Sequence, residues 1–508
     1  MRSIVLPVLQ ILSISLVVSS MAVAAEPADA KVGPNDWPWW RGPTRDGVAR
    51  DSGAPVKWSA TDNVAWKAAV PGRGHSSPTV VGSLVVMQTA DETAKIQSVI
   101  AFDRKTGRKL WQTTINTGGF PDRIHRKNTH ASPTVAADGS RLFAVSYHHQ
   151  GIHVTGLNMS GKILWQKHVG PFRPDQYKNG YAASPIVHGR NLIVLAECDD
   201  SSYMVSLDRA TGKQVWRTPR PARISYSSPT LGMVAGRQQI LISGCDRVAA
   251  FNPETGKGLW EVSATTMATS GTMVWHKDLV FASGGFPKAE TVCIKADGSG
   301  KVVWKNTQKC YEQSMIVHGG YVYAMTDPGI VFCWRATDGK VMWRERLRGP
   351  ISSSPVIAGG NIYMSNELGT TFVFKASRQS TSSWAAIRSA TRCSRLRQSA
   401  VVASTPGWPT SRPVSVARCS IASATRRPLR DVSRQARSTA PTDTRRIRRR
   451  SRSRCRREHA LFVVENDPFA NRVQWLVPGA GVQVDSMTAV AVERAEVVGR
   501  DIVAGRGQ

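Results

Sequence analysis

Five side chains stand just ahead of serines that recur along the chain: His75, His130, Tyr181, Tyr226 and Glu312. Arg73 and Arg126 lie close by in sequence. Imidazole is a common metal ligand, but two histidines, His75 and His130, are too few to define a zinc centre. As a set, the five suit an ordinary wet channel lined with polar residues; the functional alternative is a funnel that binds a small polar ligand or a peptide loop. His148 and His149 read as surface residues at a strand end. The sequence carries no Ser-His-Asp set, P-loop or His-Glu-x-x-His pattern, so no catalytic residue is assigned. The eight cysteines include no adjacent pair and no Cys-x-x-Cys, which removes the usual zinc and dithiol motifs. Cys198 and Cys245 occupy matching places in neighbouring repeats, as do Cys293 and Cys333. All four read as small buried residues in strands, with a disulfide inside either pair open to an exported protein.

What positions these residues is a repeat. The pattern Asp/Asn-x-x-Thr-Gly-Lys-x-x-Trp recurs, ending at Trp111, Trp165, Trp216, Trp260, Trp304 and Trp343. Successive tryptophans are 54, 51, 44, 44 and 39 residues apart, a period that belongs to propellers or solenoids. A second pattern interleaves with it: serine, often Ser-Pro, then alternating apolar residues, at Ser77, Ser132, Ser184, Ser228, Ser270, Ser314 and Ser354. Proline is tolerated as the first residue of a strand, and period-two alternation argues for strands. The Thr-Gly step is a tight turn whose glycine takes positive φ. Each unit therefore reads as four antiparallel strands, one blade of an all-β propeller with seven to eight blades, eight favoured. The tryptophans are expected to dock each outer strand on the next blade. Trp66 lies one period before Trp111, so the first strand of the repeat region is expected to complete the last blade and close the ring.

These units resemble the pyrroloquinoline-quinone (PQQ) repeat of quinoprotein alcohol dehydrogenase-like propellers, over residues 64–376. The opening Asp36-Trp37-Pro38-Trp39-Trp40-Arg41-Gly42-Pro43, followed by Arg45-Asp46-Gly47, resembles the lead-in of exported PQQ-like repeat proteins. The resemblance implies one of two roles. Quinoprotein dehydrogenases bind PQQ with calcium and oxidise alcohols; other members are non-catalytic, such as the scaffold subunit of the outer-membrane protein assembly machinery. The chain lacks the adjacent cysteine pair of the dehydrogenases, and its units are compact. The expectation is a non-catalytic, monomeric module binding a protein or cell-envelope component, with no cofactor; a PQQ-dependent oxidoreductase is the alternative. Carbohydrate binding through Trp37, Trp39 and Trp40 is a third reading, set against simple packing of the lead-in.

The ends differ from the repeats. Residues 1–25 read as a secretory signal, with Arg2, an apolar run from Ile4 to Val18 and Ala22-Val23-Ala24 before cleavage. This places the protein in the periplasm or outside the cell, and 26–63 form the Trp-rich lead-in. The first cysteine is Cys198, so no lipid-attachment cysteine follows the signal. Formal net charge is +31, but residues 377–457 alone carry +19, with 21 arginines against Asp431 and Asp443. No lysine follows Lys375. Residues 377–460 read as out-of-frame translation, or as a disordered basic tail. A nucleic-acid arm is opposed by the export signal; contact with anionic lipid or polysaccharide fits better. Residues 461–508 carry no repeat and are assigned no fold.

Overall fold

The computed structural model describes residues 31–49, 53–59, 62–379 and 385–388, with the backbone of three short strands at Arg418–Ser420, Leu461–Val464 and Val473–Leu476. The expected signal and most of the Arg-rich stretch lie outside the described residues. Among those described, every regular element is a strand.

Seven sheets of four antiparallel strands follow one another along the chain. Blade I runs from Thr79–Val81 to Lys109–Thr117, blade II from Ala136–Ala137 to Ile163–Pro171, and blade III from Ile186–His188 to Gln214–Arg220. Blade IV runs from Thr230–Val234 to Gly258–Ser263, blade V from Val274–His276 to Val302–Asn306, and blade VI from Ile316–His318 to Val341–Arg346. Blade VII runs from Val356–Ala358 to Ala385–Arg388. The boundary expected at residue 376 thus falls one strand short: Ala385–Arg388 pairs antiparallel with Thr370–Val373 and supplies the outer strand of blade VII. Apolar clusters fill the spaces between blades, as where Val86, Val99 and Ala101 of blade I meet Leu142, Ala144 and Leu157 of blade II. Burying such faces against one another is the main term that holds the sheets together.

The repeat motif is legible atom by atom. The Asp103 carboxylate accepts the backbone N–H groups of Lys105 and Thr106 and the Thr106 hydroxyl. Asn158, Asp208, Asn252, Asp297 and Asp338 hold their own turns in a similar way, which is why a short polar side chain opens each repeat. The turn glycines take φ of 72° at Gly107, 85° at Gly161 and 71° at Gly212. The tryptophan of the preceding blade lies over each, so a Cβ at Gly107, Gly161, Gly212, Gly256 or Gly339 would overlap an indole. The indole N–H then reaches into the next repeat: Trp66 to Arg104 O at 2.9 Å, Trp111 to Met159 O at 3.1 Å, Trp165 to Arg209 O at 3.3 Å and Trp304 to Ala336 O at 2.9 Å. Trp343 extends the series to Ser377 O at 3.0 Å. Trp260 departs from it and donates to Gln239 of its own blade.

Ring closure differs from the expectation. Trp66 does lie over Gly107 of blade I and donate to Arg104 O, as Trp111 and Trp165 do in the blades that follow. Yet Lys67–Ala69 does not join blade VII; it pairs in parallel with Arg418–Ser420. The eighth position therefore holds an outer strand with a partner from beyond the repeats. No Ser-Pro pair follows Ser354-Pro355 in the sequence, and among the described residues this position holds only the two paired strands. The seventh blade is lengthened instead on its inner side, where Val48–Ala49 pairs in parallel with Ile357–Ala358.

Candidate functional site: a channel closed by the lead-in

The repeat serines ring the channel and join its inner strands. Thr134 N–H donates to Ser184 Oγ at 3.0 Å and Ser184 N–H to Ser228 Oγ at 2.9 Å. Thr272 N–H donates to Ser314 Oγ at 3.0 Å and Ser314 N–H to Ser354 Oγ at 2.9 Å. The hydroxyl stands in for a sheet partner between strands that diverge around the axis, and satisfies N–H groups that would otherwise be buried unpaired.

The lead-in crosses the channel below this ring. Asp36 anchors it to blade I by accepting Gly82 N–H and the Arg104 guanidinium, both at 3.1 Å. Trp37 forms a bridge with Val80, Pro38 O accepts Ala137 N–H, and Trp40 Nε1 donates to Thr272 at 2.8 Å. Arg41 donates to Pro355 O at 3.0 Å and Met315 O at 2.8 Å, tying blades VI and VII together. Arg45 donates to Val187 O of blade III, with its guanidinium 4.1 Å from the Trp39 ring centroid. The run Asp36 to Arg45 is thus a plug, and Trp39 serves packing rather than display. Above the plug lies a cavity of about 330 Å³.

Lys127 marks the mouth. It arrives on the connection between blades I and II, and its ammonium lies 2.9 Å from Glu367 and 3.4 Å from Glu312. All three side chains are at most 8% exposed. Burial pushes the Glu312 carboxyl up to about 8, with Asp327 and Glu367 adding to the rise and Lys127 opposing it. His75 is held down near 3 by burial and by the charges of Arg73 and Lys127; it is a neutral ring at physiological pH.

Of the five rim residues read from the sequence, His75, Tyr226 and Glu312 line the cavity. Tyr181 does not: it is buried in the core between blades II and III, donating to Leu195 O at 2.8 Å. His130 turns away to stack on Phe120 at 4.2 Å. Arg73 pairs with Glu92 and donates to Arg126 O. The two nearest histidines therefore do not converge. His148, expected at the surface, is 7% exposed and stacks 3.7 Å from His153; His149 is exposed as expected. The cysteines Cys198, Cys245, Cys293, Cys310 and Cys333 are buried free thiols, with no disulfide in either matching pair. Sequence reasoning missed Lys127, Glu367 and Arg41 at the cavity, because none sits ahead of a repeat serine; it also passed over Tyr311, which stands three positions before Ser314 as Tyr181 does before Ser184.

PQQ with calcium would need several oxygen donors gathered on the metal ion. Among the described residues no group of three or more His, Cys, Asp or Glu side chains is placed to hold a metal ion. The two mouth carboxylates are bridged by an ammonium instead.

Repeated four-stranded blades, indole-over-glycine packing and a serine ring around a central channel define a β-propeller of the PQQ-repeat class. The chain belongs to the family described as Outer membrane protein assembly factor BamB, which it matches over residues 47–170, 95–345 and 288–409. It is 24% identical over 321 residues to the Outer membrane protein assembly factor BamB of Burkholderia pseudomallei, spanning 60% of this chain and 74% of that one. Its counterpart in Bordetella pertussis is 22% identical over 315 residues, 58% of this chain and 71% of that one. Among solved structures, the quinohemoprotein alcohol dehydrogenase from Comamonas testosteroni is similar in fold. Its TM-score is 0.50 at 12% identity, covering 67% of this chain and 72% of that one.

Proposed function

We propose that this protein is an exported, non-catalytic propeller that binds protein or envelope partners, in the assembly of proteins into the outer membrane. The observation that carries this reading is the family match through every blade, joined to relatives named for that assembly. The mouth supports it, since its two carboxylates are engaged by Lys127. Edges of the outer strands and the loops around the mouth supply the contact surface, as in other propellers.

The test is deletion of the gene followed by quantification of outer-membrane β-barrel proteins in isolated envelopes. Their loss, restored by the wild-type gene, is expected; an unchanged profile overturns the assembly role. Purified protein titrated with PQQ and calcium addresses catalysis separately. A saturable absorbance change with alcohol-dependent dye reduction would overturn the non-catalytic reading.

A further inference from the structure

The two ends of the ring are unlike. Each blade is a meander of four antiparallel strands, so the turns after its first and third strands lie at one end. The turn after its second strand lies at the other, with the connection to the next blade. Lys127, Glu312 and Glu367 stand at that second end, the mouth. The opposite end carries the Thr-Gly turns, and the lead-in is fastened there through Asp36 to Gly82 and Arg104.

This opposite end is ringed by cations. A Lys or Arg follows the turn glycine in six blades: Arg108, Lys162, Lys213, Lys257, Lys301 and Lys340. All six are exposed, and none forms an ion pair among the described residues. The carboxylates nearby are already engaged. Asp103 and Asp297 hold their own turns, Asp208 meets Arg190, Glu254 meets His188 and Asp338 meets Arg335.

Beside the cations stand apolar side chains that the fold leaves in water. Leu110, Leu164, Val215, Val302 and Val341 are between 36% and 50% exposed. Each follows its cation by one or two positions, at the start of an outer strand. Blade IV instead presents Met233, 61% exposed, beside the turn after its first strand and so at the same end. Exposed apolar residues scattered singly need no explanation, but the same place in five blades is a pattern. Rotation about the channel relates the blades, so equivalent positions share one height along it. Together they make a flat ring of cations and apolar side chains.

Such a ring matches a flat partner of opposite charge. Phosphate headgroups attract each Lys or Arg held near them, and the apolar side chains can enter the boundary between headgroups and acyl chains. A globular protein meets only part of the ring at once. We infer that the propeller seats this end on a bilayer of anionic phospholipid, with its mouth directed away. The contact goes beyond the assembly role and does not depend on it.

The experiment is flotation of the full-length protein with vesicles of phosphatidylcholine, alone or mixed with phosphatidylglycerol. Binding to the mixed vesicles only is expected, and added salt should weaken it. The variant R108Q/K162Q/K213Q/K257Q/K301Q/K340Q should bind at least about tenfold more weakly. The variant L164S/V215S/V341S keeps every charge and should also bind several-fold more weakly. Far-ultraviolet circular dichroism and Tm check that each is folded, and either one decides if the other is not. Absence of flotation with the mixed vesicles overturns the proposal, as does equal flotation with the neutral ones. Unchanged binding in either folded variant also overturns it, and would move the lipid affinity to the Arg-rich stretch.

Discussion

Lys127 is asked to serve two carboxylates at once, and this has consequences for pH. The folded state holds the Glu312 proton up to about 8, against 4.5 for the free side chain. Between those values the folded protein binds a proton that the unfolded chain releases, so this group's contribution to stability declines as pH rises from about 4.5 to about 8. Glu312→Gln removes that decline, which denaturant titrations at pH 5, 7 and 9 will read as a flatter profile. Lys127→Met leaves the carboxylates without a counter-ion and is expected to cost about 3 kcal/mol at alkaline pH. The histidines of blade II behave in the opposite sense. His148 is pushed down to about 3 and His153 to about 4, first by burial and then by neighbouring histidines, His149 and His168 among them. Their unfolded forms take up protons near 6.5, so stability is lost as pH falls below that value. His148→Phe keeps the ring stack and should blunt the fall in Tm between pH 6 and 4.

At the scale of the element, the Thr-Gly turn couples a backbone requirement to a packing requirement. Gly82 and Gly161 separate the two, since both have positive φ, 52° and 85°. A Cβ at Gly82 meets open space, whereas at Gly161 it overlaps the Trp111 ring. Gly82→Ala is expected to cost about 1 kcal/mol, the price of a left-handed alanine. Gly161→Ala adds overpacking and should cost about 3 kcal/mol in all. Equal losses in urea unfolding would show that indole and glycine are not tightly apposed. The same coupling explains why motif and blade coincide: one tetrapeptide turn sets both the hairpin and the seat for the neighbour's tryptophan.

The whole molecule depends on chain that lies outside its recognisable repeats. Ala385–Arg388 completes blade VII, and the family match reaches residue 409. A chain ending at Lys375 therefore exposes the third strand of blade VII as a sheet edge, a template for association. It is expected to melt several degrees lower and to elute as aggregates in size-exclusion chromatography. A chain ending at residue 409 keeps the strand and should remain monodisperse; equal behaviour of the two would count against that strand's role.

The repeat, its turns, the indole packing and the all-β class were determined by the sequence itself, because each rests on residues a few positions apart whose spacing encodes a local geometry. Asp103, Thr106, Gly107 and Trp111 declare a hairpin with no knowledge of the rest. Three of the five rim positions were legible for the same reason, since the residue ahead of each serine inherits its place from the blade. Tyr181 and His130 were not, because side-chain direction there is settled by Leu195 and Phe120. Only the tertiary structure could bring Arg41, Lys127, Glu312 and Glu367 into one cavity. Those residues are 55 to 326 positions apart, and what joins them is the curvature of the ring. A small rotation at every blade interface accumulates until blades VI and VII stand opposite the connection that carries Lys127. No local pattern records that sum.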